Sequence, residues 1–190
     1  MKIENVLRPL EDKPIQAYIG KGLHTLGLLS WILKQTGKAD IVVSSFSTSE
    51  PFLNGFVRLK DKGLVGQSIL LLDIRAAKKT SKLLPLMNNA FDSVFLGQNH
   101  SKIILIAARD LKIAVVTSQN QTYGDRAEST IVTTDKEVFA VLEEQLEALL
   151  ATQSIEVDIK NGKRKTKGSG RIGRTAADAP TDWRPFGVEW

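Results

Sequence analysis

Lys102-Ile103-Ile104-Leu105-Ile106-Ala107-Ala108-Arg109-Asp110-Leu111-Lys112-Ile113-Ala114-Val115-Val116 is the stretch that decides the fold. Two apolar runs, Lys102 to Ala107 and Lys112 to Val116, are joined by Ala108-Arg109-Asp110-Leu111. That spacing predicts an antiparallel hairpin with a short loop. Upstream, Ile41-Val42-Val43 is a short buried-strand run ending in the hydroxyl-rich Ser44-Ser45-Phe46-Ser47-Thr48-Ser49. Ser68 to Ile74 is continuously apolar apart from Ser68 and Asp73, which predicts a strand covered on both faces. Ser93 to Leu96 and Thr130 to Thr133 are further strands.

Helical patterns fill the gaps. Leu23 to Gln35 puts Leu26, Leu29 and Leu33 on one stripe, with Gly37 after it. Glu50-Pro51 opens a second helix that runs to about Lys62 and stops at Gly63. Lys79 to Asn89 reads as a helix that Pro85 weakens or starts late. Asp135 caps a helix over Lys136 to Ala151, with Val138, Leu142, Leu146 and Leu149 turned inward. Strands alternating with helices give an α/β fold, and the hairpin makes its β-sheet mixed, flanked by helices. Residues 1–20, broken by Pro9 and Pro14, read as an N-terminal arm. Residues 21–157 form the domain, and 158–190 form a flexible basic tail with an aromatic C-terminus. No internal repeat is present.

Composition narrows the function. At 190 residues, 42% hydrophobic and 25% charged, the chain is an ordinary globular protein rather than a disordered one. It has no cysteine, which excludes disulfide scaffolds, Cys-ligated zinc, iron–sulfur clusters and thiol catalysis. The histidines are His24 and His100, too few for a His-rich metal site, and no cofactor or metal is expected. No apolar run is long enough to span a bilayer. Met1 to Gly20 carries Glu4, Glu11 and Asp12 and does not read as a secretory signal, so a cytoplasmic protein is expected. The net charge of +5 is concentrated: residues 160–174 contain Lys160, Lys163, Arg164, Lys165, Lys167, Arg171 and Arg174 and no acid. Residues 175–190 are acidic by two charges, which leaves residues 1–159 with no net charge. Basicity is therefore the property of one segment.

Candidate chemistry gathers around the hairpin. In Gln98-Asn99-His100-Ser101-Lys102, His100 and Lys102 are two apart at the start of a strand and project from the same face. A neutral imidazole is a nucleophile, and a lysine beside it can hold an anionic oxygen. Thr117-Ser118-Gln119-Asn120 ends the next strand, so antiparallel pairing brings Ser118 and Asn120 near the pair. Glu128 opens the strand after that and could accept the other imidazole N–H. Each feature alone also fits a plain surface: a polar strand edge, a Ser/Asn turn, a solvated glutamate.

Taken in order, these residues resemble the phospholipase D superfamily, whose signature is His-x-Lys, an Asp, Gly-Ser-x-Asn on the following strand, and then a Glu. The matches are His100 and Lys102, Ser118 and Asn120, and Glu128, over roughly residues 21–152. Two positions depart from the pattern. Ala107 stands where the family's Asp follows, with Asp110 three positions later, and Thr117 replaces the Gly before Ser118. The resemblance implies a metal-independent phosphodiesterase. His100 would attack phosphorus and form a covalent phosphohistidine. Lys102, Ser118 and Asn120 would hold the non-bridging oxygens, and Glu128 would orient His100. The family uses two such motifs per site and this chain has one, since His24 is followed two residues on by Leu26. A homodimer with a shared site is therefore expected.

The basic tail favours nucleic acid as the substrate, making a nuclease the leading expectation. A phospholipase and a catalytically weak protein that binds DNA or dimerises are the alternatives. No amphipathic basic helix suggests a membrane surface. Trp183, Phe186 and Trp190 at the C-terminus either dock on this protein or recruit a protein partner.

Overall fold

Runs rich in Ile, Val and Leu become strands here because branched side chains pack well on a pleated surface. The computed structural model describes residues 2–76, 81–122, 124–158 and 163–165. Its elements are β1 (Ile15–Gly20), α1 (Thr25–Thr36), β2 (Ala39–Ser45), α2 (Glu50–Asp61), β3 (Val65–Asp73), α3 (Leu84–Ala90) and β4 (Ser93–Gly97). They continue with β5 (Ile103–Ala108), β6 (Lys112–Thr117), β7 (Glu128–Thr133), α4 (Lys136–Gln153), β8 (Ser154–Asp158) and β9 (Lys163–Lys165). Nine strands form one sheet in the order β1-β7-β6-β5-β2-β3-β4-β8-β9. β2, β3 and β4 run parallel, and every other pairing is antiparallel. The sheet is mixed and flanked by helices, an architecture consistent with a phospholipase D-like fold.

The two faces are covered unequally. α1, α2 and α3 bury one face through Leu29, Ile32, Leu53, Phe56 and Met87 against Val43, Leu70, Leu72 and Ile104. α4 alone covers the other, setting Phe139, Leu146 and Leu150 against Val42, Leu71, Leu105 and Ala114. Leu70, Leu71 and Leu72 are all fully buried, as a strand covered on both sides must be. Truncating any of them to Ala would cost about 2–5 kcal/mol.

Local signals set most boundaries. Gly37 and Gly63 follow α1 and α2 with φ of 73° and 71°, a left-handed conformation that glycine adopts without a Cβ clash. Asp135 caps α4 through Oδ1, which accepts from Glu137 N at 2.9 Å and Val138 N at 3.0 Å. The hairpin forms as expected, with Ala108 N donating to Leu111 O at 2.9 Å across its loop.

Three expectations need correction. Residues 1–20 are more than an arm: β1 adds an edge strand beside β7, and Leu7 and Leu10 are buried in the core. Pro9 and Pro14 break the chain before the strand, not through it. α4 turns Phe139, Leu146 and Leu150 inward; Val138 is 42% exposed, and Leu142 and Leu149 are only partly buried, because the helix is rotated on the sheet. The helix expected over Lys79 to Asn89 does start late, as Pro85 implied: α3 opens at Leu84 with Pro85 in its first turn, preceded by a 3₁₀ turn at Ser81–Leu83. Lastly, the segment after 157 is not uniformly linker: β8 runs to Asp158, and the backbone of Lys163, Arg164 and Lys165 pairs with it as β9. Lys160, Lys167, Arg171, Arg174 and the aromatics Trp183, Phe186 and Trp190 lie outside the described residues.

Candidate active site

The site forms where the chain leaves the sheet. β2 and β4 end at Ser45 and Gly97, β5 begins at Ile103, β6 ends at Thr117 and β7 begins at Glu128, all at one end of the sheet. In parallel and mixed α/β sheets this carboxyl end of the parallel strands is where ligands bind. Thr117 N donates to Lys102 O at 3.0 Å, which extends the hairpin pairing by one step. The hairpin thus holds the two halves of the candidate site side by side.

His100 is exposed on the segment between β4 and β5, its ring 5.0 Å from the Phe46 ring and tilted by 55°. Lys102 folds back onto it: Nζ lies 3.3 Å from His100 Nδ1 and donates to His100 O at 2.8 Å. An ammonium donating to Nδ1 leaves the proton of a neutral ring on Nε2. Burial pushes the Lys102 pKa down, and the negative charge of Glu128 partly restores it.

Glu128 accepts a short hydrogen bond from the Ser118 hydroxyl, and Ser118 Oγ in turn accepts from Ser129 N at 3.0 Å. In the single chain, then, Glu128 holds Ser118, and its link to His100 runs through the charge of Lys102. Asn120 is half-buried in the β6–β7 loop, and its Oδ1 has no hydrogen-bond partner among the described residues. The structure therefore joins His100 to Lys102 and Ser118 to Glu128, couples the two pairs electrostatically, and bonds Asn120 to neither. Ala107 pairs with Lys112 inside the hairpin. Asp110 sits in the loop beyond β5, about 20 Å of strand away from Lys102 at ~3.3 Å per residue, so it does not stand in for the family's Asp.

A second polar cluster lies under the first and was not singled out from sequence. Asn99 N donates to Asp73 Oδ2 at 3.0 Å, and Asn99 Nδ2 donates to Ser44 Oγ at 2.9 Å and Ser45 O at 3.3 Å. Asn99 Oδ1 accepts from Ser101 Oγ at 2.7 Å and Ser101 N at 3.0 Å. Ser101 and Ser44 hydroxyls are 2.5 Å apart. Asn99 and Ser101 flank His100, so this network anchors its backbone on both sides. The signal was present: Ser101, between His100 and Lys102, must point to the opposite face. Tyr18 on β1 pairs with Thr130 beside Glu128, and burial raises its pKa, with Glu128 adding to the rise.

No family model matches this chain, and no curated protein matches it in sequence. Solved structures do match. Polyphosphate kinase from Porphyromonas gingivalis is 10% identical with a TM-score of 0.51, over 70% of this chain and 26% of that one. Phosphatidylserine synthase from Haemophilus influenzae Rd KW20 is 10% identical with a TM-score of 0.49, over 75% and 40%. TrmBL2, an archaeal chromatin protein with a novel mode of DNA binding, is 10% identical with a TM-score of 0.46, over 74% and 53%. The chain spans between a quarter and about half the length of these proteins. At this identity the likeness to the kinase is one of fold.

Proposed function

We propose that this protein is a phosphodiester hydrolase of the phospholipase D type, acting on nucleic acid through a covalent phosphohistidine at a site completed by a second copy of the chain. The observation that carries the reading is the contact of Lys102 with His100 at the end of the sheet, next to the Ser118–Glu128 pair. The phospholipase D-like architecture, shared with a polyphosphate kinase, supports it. In the proposed mechanism a substrate phosphate draws Lys102 off Nδ1. The imidazole proton then moves to Nδ1, and Nε2 attacks phosphorus as the bond to the bridging oxygen breaks. Lys102, Ser118 and Asn120 stabilise the charge that builds on the non-bridging oxygens. His100 of the second copy, protonated, gives its proton to the leaving oxygen. Water then attacks the phosphohistidine and gives a proton back to that second imidazole, which returns both histidines to their starting state.

The homodimer has a surface to use. Cross-strand register lines up Ala17, Ile131 and Val116 on β1, β7 and β6, and Ile131 and Val116 are exposed. On the same edge strand Ile19 is 82% exposed, and α4 adds exposed Val138 and Val141. Val116 is two residues before Ser118, so a face buried here would carry the site with it. Lys160, Lys163, Arg164, Lys165, Lys167, Arg171 and Arg174 are proposed to supply sequence-tolerant contacts to nucleic-acid phosphates.

The test is cleavage of labelled DNA in excess EDTA by wild type and His100→Ala, with the mass of each protein in solution measured by light scattering. Cleavage by a dimeric wild type and none by the variant supports the reading. Activity that vanishes in EDTA and returns with magnesium overturns the mechanism, and an active monomer overturns the shared site. The second reading, a DNA-binding protein with little catalysis, is favoured by the absent Asp at position 107 and by Lys102 occupying Nδ1. DNA binding by both proteins without cleavage by either would select it.

A further inference from the structure

We propose that the cavity between the start of α1 and the length of α2 is a second binding site, for a nucleoside monophosphate, separate from the His100 site. The cavity measures about 480 Å³, within the roughly 300–1,000 Å³ usual for small-molecule sites. Leu23, Leu26, Phe52 and Leu59 give it apolar walls. Its mouth carries positive potential from two sources. One is the N-terminus of the 12-residue α1, whose first N–H, on Thr25, donates to Gln119 Oε1 at 2.9 Å and whose next two residues, Leu26 and Gly27, line the cavity. The other is Arg58 and Lys62, one turn apart at the end of α2 and without an ion-pair partner among the described residues.

Gln121 decides what kind of molecule fits. It borders the cavity and is 1% exposed, and its Nε2 has no hydrogen-bond partner among the described residues. Its Oε1 accepts from Thr25 Oγ1 at 2.5 Å, and its backbone N and O are tied to Ser47 O at 3.1 Å and Ser49 Oγ at 3.0 Å. The side chain is thereby fixed with one amide end unsatisfied, and exchanging the amide O and N leaves the same deficit at the other end. A buried polar group without a partner is costly. An acyl chain filling the apolar space would leave that cost in place. A heterocyclic base presents both an apolar face to the walls and polar edge atoms to an amide, and its phosphate would meet the positive mouth.

The site borders α1, α2 and the β6–β7 loop, and does not include His100 or Lys102. It is independent of the reaction proposed above, and the test keeps the two apart. AMP, adenosine, decyl phosphate and a 5′-phosphorylated dinucleotide are titrated calorimetrically into wild type, Arg58→Gln, Gly27→Phe and His100→Ala. Gly27 lies on the cavity wall in α1, and a Cβ there meets nothing within 4 Å, so the helix has room for a side chain at this position and a phenylalanine would compete with a ligand for the space. The expected result is saturable AMP binding by wild type and His100→Ala. Adenosine should bind about tenfold more weakly or worse, Arg58→Gln should bring AMP part of the way down toward adenosine, and Gly27→Phe should bind neither at an undiminished Tm. A preference for the dinucleotide over AMP assigns the monophosphate to a strand end, and the reverse assigns it to a free nucleotide; both support the site. The proposal is overturned if AMP does not bind wild type, if Gly27→Phe binds it normally, or if decyl phosphate binds more tightly than AMP. Loss of AMP binding in His100→Ala would also overturn it, by moving the ligand to the other site.

Discussion

The two polar clusters at the end of the sheet share a backbone segment and differ in almost everything else. On one side Asn99, Asp73, Ser44 and Ser101 are buried or half-buried and mutually hydrogen-bonded, and Asn99 uses both ends of its amide. On the other, His100, Ser118 and Asn120 are exposed or half-buried, and the buried Asn120 Oδ1 has no partner among the described residues. A satisfied buried network rigidifies a structure, while exposed side chains such as those of His100 and Ser118 are open to solvent and to a ligand. Residues 99 to 102 alternate between the two, so one tetrapeptide contributes both to the buried anchor and to the exposed candidate site.

Breaking each side separately should give opposite outcomes, and the largest effect belongs to the reactive one. His100→Ala should lower DNA cleavage by on the order of 10³-fold or more while Tm stays unchanged, because the ring is exposed. Asn99→Leu should do the reverse. The backbone N–H of residue 99 still reaches Asp73, but losing the amide that bonds the Ser44 and Ser101 hydroxyls, Ser45 O and Ser101 N should cost about 1–3 kcal/mol, read by urea denaturation, and any loss of activity should follow the displaced His100 backbone.

The opposite end of the sheet offers a control, since a satisfied carboxylate there is far from the site. Desolvation by burial acts to raise the Asp92 pKa, but hydrogen bonds from Lys60 at 2.6 Å and from Ser68 N and Oγ at 2.9 Å outweigh it and hold it low. A depressed carboxylate pKa contributes stability that is present above the unfolded value near 4 and lost as pH falls through the folded pKa. Asp92→Asn should therefore narrow the stability difference between neutral and acid conditions without touching cleavage; an unchanged pH profile of stability would refute the assignment.

The smallest expected effect sharpens the reactive side itself. Burial lowers the Lys102 pKa and Glu128 counteracts this, so Glu128→Gln should lower it further. The charged ammonium costs stability below its folded pKa, and the cost is relieved as pH rises toward the ordinary lysine value. NMR titration of Lys102 should move to lower pH in the variant, and the alkaline limb of the cleavage profile should move with it. A Lys102 titration that stays in place would show that Glu128 acts on Ser118 alone.

Much of this molecule is written in short-range signals. Glycines after α1 and α2, Asp135 before α4, and apolar runs at β2, β3 and β5 each act within one element, because capping, left-handed backbone and side-chain periodicity are local. So is the His100–Lys102 spacing, which needs no fold to be read. What the chain order could not convey is partnership across distance. β1, as Ile15-Gln16-Ala17-Tyr18-Ile19-Gly20 between Pro14 and Lys21, becomes a strand only because β7 offers an unpaired edge more than a hundred residues later. The backbone of Lys163–Lys165 joins the opposite edge for the same reason, even though its composition reads as linker. Glu128 reaches Ser118 and not the imidazole because β6 and β7 set their relative register, and Asn99 is buried because Asp73 and Ser44 end neighbouring strands at the same height. Sheet pairing links residues far apart in the chain, and which polar groups it satisfies and which it leaves open to a ligand is settled only when the strands meet.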